Sequence, residues 1–289
     1  MKPRIFLLVD VKGWAWWWKA HQLKKYLSNE FDFIIMLEAD MRRRPQREDF
    51  ELFVAFSVTQ IHYFKHIPAR KKLVNVTAVR PNEQIKDKCL SAGAVCTNSM
   101  QLFNQVKEFH PKVFYCPNGV DHNFFFPKPR LENAPLKFSY VGKYVPEKHL
   151  DDIIRPACEA CNAELVAHTK DYRDADPPEV MRDHYRDIDV HIAASTIDGT
   201  PNPCLEAAAC GRAIISNYIG NMPEFIVNHF NGFLVDLDVE QYVDRIKFFQ
   251  KFPAMAAMMG RNARATVEVD WTWGKRAKNY RMMFNEILG

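Results

Sequence analysis

The chain has 289 residues, 47% hydrophobic and 26% charged, with 17 Pro and 11 Gly. This excludes a fibrous, low-complexity or largely disordered protein and leaves room for one large domain or two modest ones. The formal net charge of +4 hides a split, since residues 1–130 carry a net +9 and residues 131–289 a net −5, so the field steers anionic partners toward the first half.

The longest early aliphatic run, Ile5 to Val9, is followed at once by Asp10 and Lys12, far short of the ~20 residues of a membrane span. Neither the apolar region nor the cleavage site of a signal peptide follows Lys2 and Arg4, so the expected location is the cytoplasm, with peripheral attachment at the inner membrane face left open. Seven cysteines at irregular spacing read as reduced thiols. The pair Cys158-x-x-Cys161 lacks a second ligand pair, so it reads as two helix thiols and no metal site is expected.

In chain order, the apolar run RIFLLVD (4–10) precedes a helical stretch WWWKAHQLKKYLSNE (16–30). The runs FDFIIML (31–37), ELFVAF (51–56), KKLVNVTAV (71–79), AVCTNS (94–99) and KVFYCPNG (112–119) follow. Strands alternating with amphipathic segments predict a parallel sheet with helices on both faces. The stretch 117–136 has four prolines and no helical period and reads as the linker.

The same grammar then restarts with KFSYVGKYV (137–145), a helix from about His149 to Asn162, AELVAH (163–168) and a helix around Pro178 to Arg186. After these come DVHIAAS (189–195), the helix CLEAAAC (204–210), RAIISN (212–217) and NGFLVD (231–236). The closing WTWGKRAKNYRMMFNEIL (271–288) sets Tyr280, Met283, Phe284 and Leu288 at helical spacing. The fold class expected is α/β, with two doubly wound Rossmann-like domains, 1–130 and 131–272, facing a cleft at the carboxyl ends of their strands. Residues 273–289 form a terminal helix expected to cross back to the first domain.

Three loops of the second half carry the polar residues. In STIDGTPNPCLEAAACG (195–211) Asn202 reads as the N-cap and Pro203 as the first helical residue. The N–H groups and positive dipole end of that helix form an anion site contributing about 0.3–1 kcal/mol, with a capped packing helix as the equal alternative. GKYVPEK (142–148) sets Lys143 and Lys148 around a strand-to-helix turn, where both ammonium groups can reach one anion. GNMPE (220–224) adds a glycine turn and the carboxylate of Glu224 at another strand end. Three such loops in one sheet favour a shared site over three solvated turns.

The ordered runs PNGVDHNFFFP, FSYVGKYVPEKHLDDII and YRDIDVHIAASTIDGTPNPCLEAAACGRAIISNYIGNMPEFIVNHFNGFLVD resemble the GT-B glycosyltransferases, specifically the retaining family 4 that uses nucleotide-diphosphate sugars. The resemblance spans about residues 112 to 236 and continues weakly to Trp273. It implies a hexosyl- or pentosyltransferase in which Glu206 holds the donor ribose and Asp198 faces the transferred sugar, Asp198 standing where the family usually has Glu. Lys143 and Lys148 match the basic pair that binds the diphosphate, the first being more commonly Arg, whose bidentate fork a Lys lacks. The resemblance further implies donor contacts from Gly142, from Gly199, Thr200, Pro201, Asn202, Pro203 and Cys204, and from Glu224. It implies no bound cofactor and no divalent-metal requirement. Sugar transfer builds negative charge on the leaving phosphate, so preorganised lysines and helix N–H groups meet its main demand.

The first half departs from that pattern. Where the family has a glycine-rich loop after its first strand, this chain has Gly13 followed by Trp14, Trp16, Trp17 and Trp18. Where many members place a histidine in a middle strand, it has Asn75, Val76 or Thr77. Gly13, Trp14, Trp16 and His62 are the acceptor-side candidates. The tryptophans, Arg42, Arg43, Arg44 and Arg47, and HYFKHIPARKK (62–72) fit three readings: a membrane interface carrying a lipid-linked or cell-surface glycan acceptor, a nucleic-acid surface as a DNA-modifying sugar transferase acting on a hydroxylated base needs, or simple core packing. A non-catalytic nucleotide-sugar or nucleic-acid binding protein on the same scaffold is the remaining alternative. The expected partners are a nucleotide sugar and an anionic acceptor, and the expected state is a monomer.

Overall fold

Strand β1 (Arg4–Val9) buries residues on both faces, Ile5, Leu7 and Val9 in one layer and Phe6 and Leu8 in the other. This period-two division is what a central parallel strand covered by helices on both sides requires. The computed structural model describes residues 1–41, 49–129, 135–170 and 176–289. The chain divides into two units, residues 1–118 with 273–289, and residues 119–272. The segment 119–129, inside the proline-rich stretch, thus belongs with the second unit. The arginines 42, 43, 44 and 47 lie outside the described residues.

In the first unit, β1, β2 (Asp32–Leu37), β3 (Leu52–Ala55), β4 (Lys72–Val76), β5 (Ala94–Thr97) and β6 (Val113–Tyr115) form one parallel sheet in the order β2-β1-β3-β4-β5-β6. Helix α1 (Ala15–Leu27) packs Ala20, Leu23 and Leu27 on one face. The same layer contains Ala277, Tyr280, Met283 and Phe284 of the last helix, α11 (Trp273–Leu288). A short α2 (Glu38–Met41) follows β2. The opposite face is covered by α3 (Asn82–Leu90), α4 (Met100–Lys107) and a 3-10 helix at Val58–Phe64.

The second unit is a five-stranded parallel sheet in the order β11-β10-β9-β7-β8. Its strands are β7 (Lys137–Lys143), β8 (Glu164–Lys170), β9 (Val190–Ala193), β10 (Ala213–Asn217) and β11 (Gly232–Val235). The helices are α5 (Arg155–Ala160), α6 (Pro178–Arg186), α7 (Asn202–Ala209), α8 (Met222–Phe225), α9 (Val239–Lys251) and α10 (Pro253–Thr266). One core layer joins Phe138, Val190, Ile192, Ile215 and Phe233 of the sheet to Tyr242, Ile246 and Phe249 of α9 and Met259 of α10.

Several local expectations change. The helix expected from His149 starts instead with His149 in the left-handed region (φ 46°) and a π turn over Leu150–Ile154 before α5. Pro156 has no N–H to give the carbonyl four residues back, which accounts for the irregular start. The last helix begins at Trp273, the expected start, after a π turn at Val267–Trp271 that ends in extended Thr272, which bridges to Val120. Cys158 and Cys161 are free thiols, burial raising that of Cys158 to about 12. Among the described residues no group of three His, Cys, Asp or Glu is arranged to hold a metal ion. No described helix is long and apolar enough to cross a membrane.

Candidate active site

Parallel strands deliver their following loops to one end of a sheet, and in the second unit three such loops are tied together by hydrogen bonds. The loop after β7 makes a 3-10 turn at Pro146–Lys148, and Glu147 O accepts from Thr196 N of the loop after β9 at 3.1 Å. Lys148 Nζ donates to Asp198 Oδ2 as an ion pair, with side chains 17% and 21% exposed. This partial burial leaves the pair less screened than a surface bridge.

The loop after β10 crosses the loop after β9 at the closest distance backbone permits. Gly220 has φ +55°, and a Cβ there would lie 2.3 Å from Gly199 O and 2.7 Å from Asp198 O. Only glycine meets both conditions. Asn221 N donates to Gly199 O at 3.0 Å and its Nδ2 to Thr200 Oγ1 at 3.0 Å. At the end of β10, four residues earlier, Asn217 accepts from Ser195 N at 3.0 Å and donates to Ser195 O at 2.8 Å, tying the chain just after β9 to β10. A Cβ at Gly142 would meet Tyr140 Oη at 2.5 Å, a side-chain contact rather than a backbone one, and that hydroxyl donates to Lys143 O at 2.7 Å.

Helix α7 corrects one expectation. Its N-cap is Pro201 and Asn202 is already the first helical residue, so Asn202 does not cap it. Of its first N–H groups, Pro203 has none and Cys204 N donates to Pro201 O at 2.9 Å, so fewer remain for an anion than the sequence implies. One turn on, Glu206 Oε2 accepts from Tyr185 Oη at 2.9 Å. Tyr185 is fully buried, and burial followed by the Glu206 charge drives its hydroxyl well above the ordinary range, so it stays a donor. Cys204 is buried, which raises its thiol, and Glu224 sits partly buried on α8.

The structure therefore brings Lys148, Asp198, Gly199, Thr200 and Gly220 into one knot, with Gly142 and Lys143 at the end of β7 and Glu206 anchored from α6. Tyr185, Asn217 and Asn221, absent from the sequence candidates, make the hydrogen bonds that hold these residues. Asn217 and Asn221 carry a readable signal, two amides flanking a strand-end turn, whereas Tyr185 in a helix reads as core. Chemically, an ammonium and a carboxylate held together, beside backbone fixed by buried amides, can neutralise a phosphate and orient a polyhydroxylated group.

The first-unit candidates occupy two places. Gly13 (φ +82°) is in the turn after β1 and Trp14 is the N-cap of α1. Trp16 and Trp17 pack partly buried against the core and Trp18 is 38% exposed. His62 is exposed on the 3-10 helix after β3, where its Nδ1 donates to Thr59 O at 2.6 Å. Asn75 on β4 is structural: Nδ2 donates to Ala55 O at 2.9 Å and Oδ1 accepts from buried Lys19 at 3.3 Å, whose ammonium burial makes more acidic.

Residues 125–250, within the second unit, match the family described as Glycosyl transferases group 1. No curated protein matches the chain in sequence. Sucrose-phosphate synthase from Thermosynechococcus elongatus is similar in structure with a TM-score of 0.78 at 13% identity, covering 99% of each chain. HepE of Anabaena in complex with UDP and glucose gives 0.75 at 14% identity, over 98% of this chain and 100% of that one. A glycosyltransferase from Rickettsia africae gives 0.72 at 15% identity and 99% of each. The fold is that of the GT-B glycosyltransferases, and the second unit contains the group 1 glycosyltransferase match.

Proposed function

We propose that this protein is a retaining glycosyltransferase that moves a hexosyl or pentosyl group from a nucleoside-diphosphate sugar to an acceptor hydroxyl. The observation that carries the reading is the Lys148–Asp198 pair, held at the strand ends of the matched unit beside Gly199 and Gly220. In this reading Lys148 and Lys143 neutralise the charge that grows on the leaving diphosphate, and Glu206, fixed by Tyr185, accepts from the ribose hydroxyls. Asp198 faces the sugar, with Gly142, the backbone from Gly199 to Cys204, and Glu224 completing the donor contacts.

The sugar C1–O bond to phosphate breaks as a bond to the acceptor oxygen forms on the same face. The acceptor proton passes to the departing phosphate oxygen, and the products are a glycoside and a nucleoside diphosphate. The residues proposed here supply charge and hydrogen bonds, and the reading assigns no step to a metal ion or cofactor. HepE, a structural neighbour, is seen with UDP and glucose, which supports a nucleotide sugar as donor here.

The test is donor turnover by purified protein with a panel of nucleotide sugars, followed by NMR of the anomeric proton. Turnover lost in Glu206→Ala and Lys148→Ala supports the reading, and turnover unchanged in both overturns it. Wild-type protein that binds nucleotide sugars but never cleaves them supports the non-catalytic alternative instead.

A further inference from the structure

Three sulfur-bearing side chains meet in the core of the first unit. Cys96 of β5, Cys116 just after β6 and Met283 of α11 are each no more than 1% exposed and belong to one core layer. Cys96 and Cys116 share a side-chain hydrogen bond, and the Cys116 thiol donates to Met283 Sδ at 3.7 Å. We propose that these three residues form a binding site for a soft monovalent metal ion, Cu(I) by its chemistry.

The sulfur spacing suits a shared ion better than a covalent bridge. Two sulfurs each ~2.3 Å from one ion and placed near-tetrahedrally stand ~3.8 Å apart, which is the separation of Cys116 and Met283. In the sheet Cys96 stands opposite Phe114, and Cys116 N donates to Thr97 O at 2.8 Å, so Cys116 keeps the register two residues further on. A two-residue offset at ~3.3 Å per residue, across strands ~4.8 Å apart, separates the two Cα atoms by about 8 Å. A disulfide needs roughly 4.4–6.8 Å. Tyr280 Oη donates to Cys116 O at 2.6 Å, which fixes α11, and with it Met283, against the end of β6.

Lys19 of α1 decides the charge of the ion. It is buried beside the two thiols, its Nζ 3.3 Å from Asn75 Oδ1 and over the rings of Phe56 and Tyr280 at 5.4 and 5.2 Å. Among the described residues no carboxylate is paired with it, and the ionisable groups it faces are Cys96 and Cys116. Two thiolates with the Lys19 ammonium and a monovalent cation sum to zero charge. A divalent ion leaves the same cluster positive inside an apolar core, which burial penalises. Thiolate and thioether ligands together select Cu(I) among the soft ions. On binding, both S–H protons leave, one to the Lys19 amine and one to solvent, and sulfur lone pairs form the bonds to the ion.

The experiment is an anaerobic titration of the reduced protein with Cu(I) in competition with bicinchoninate, read by the colour of the chelate and by X-ray absorption at the copper edge. Expected is one tightly held Cu(I) per chain with sulfur neighbours, lost in Cys96→Ala and in Cys116→Ala and held more weakly in Met283→Leu. Met283→Leu conserves core volume, so weaker retention there does not come from a failed fold. Cys158→Ala retains the ion, because that thiol belongs to the other unit. No retention by the wild type, or retention equal in Cys96→Ala, Cys116→Ala and Met283→Leu, overturns the site. Zn(II) held as tightly as Cu(I) overturns the assignment of a monovalent ion. A Cys96–Cys116 disulfide in peroxide-treated wild type, found by mass spectrometry, overturns the sulfur spacing on which the site depends.

Discussion

Gly220→Ala tests the crossing of two loops on which the candidate site depends. The new Cβ would pay a left-handed penalty of ~1–2 kcal/mol, since φ is +55°. It would also lie 2.3 Å from Gly199 O, so the loops must part and the Asn221 N to Gly199 O bond is lost, about 0.5–1.5 kcal/mol more. The sum, about 1.5–3.5 kcal/mol, corresponds to a fall of roughly 3–14 °C in the transition of the second unit. Gly211→Ala is the control, because Gly211 has φ +77° but its nearest foreign atom is Pro127 Cγ at an ordinary 3.4 Å. It carries the backbone penalty without the collision. Parting the loops also draws Asp198 from Lys148, so donor turnover falls in Gly220→Ala and not in Gly211→Ala. Calorimetry with turnover assays on both variants decides the matter. Equal melting and equal turnover in the two would refute the reasoning.

Tyr185→Phe removes one buried hydroxyl that donates to Glu206; nucleoside-diphosphate affinity falls about tenfold, in line with ~1.5 kcal/mol for a bond to a charged group, while inorganic pyrophosphate binding, read by calorimetry, is unchanged. Asp198→Asn removes the partner charge of Lys148, so nucleoside diphosphate binds more tightly and sugar transfer slows, a split that titration and kinetics resolve. His191 is buried beside Ser139 and His184, and burial lowers it from 6.5 to about 3. The unfolded chain therefore takes up this proton first, and stability falls as pH drops from about 6.5 toward 3, by at most ~1.4 kcal/mol per pH unit. Urea unfolding at pH 7 and pH 5 should show a smaller loss in His191→Gln than in the wild type.

Much of the architecture is legible in the sequence because it is local. The continuous apolar run in RIFLLV, the short run VHIA, and the proline and glycine turns that end such runs define buried strands without knowledge of their neighbours. Helix α9 is equally legible: Tyr242, Val243, Ile246 and Phe249 make a helical stripe, and Asp238 caps it by accepting from Gln241 N at 3.2 Å. Helix α7 starts one residue earlier than its sequence suggests, because Asn202 has the chemistry of a cap but Pro201 holds the cap position.

The amino-acid sequence alone thus determined two α/β halves, their strand-end loops and the residue types able to bind a diphosphate sugar. Tertiary structure decided which of those residues meet. Lys148 reaches Asp198 and Gly220 touches Gly199 across loops that follow different strands, and Tyr185 of α6 reaches Glu206 of α7. Each meeting is set by strand order and register in the sheet, a non-local property that no window of sequence contains.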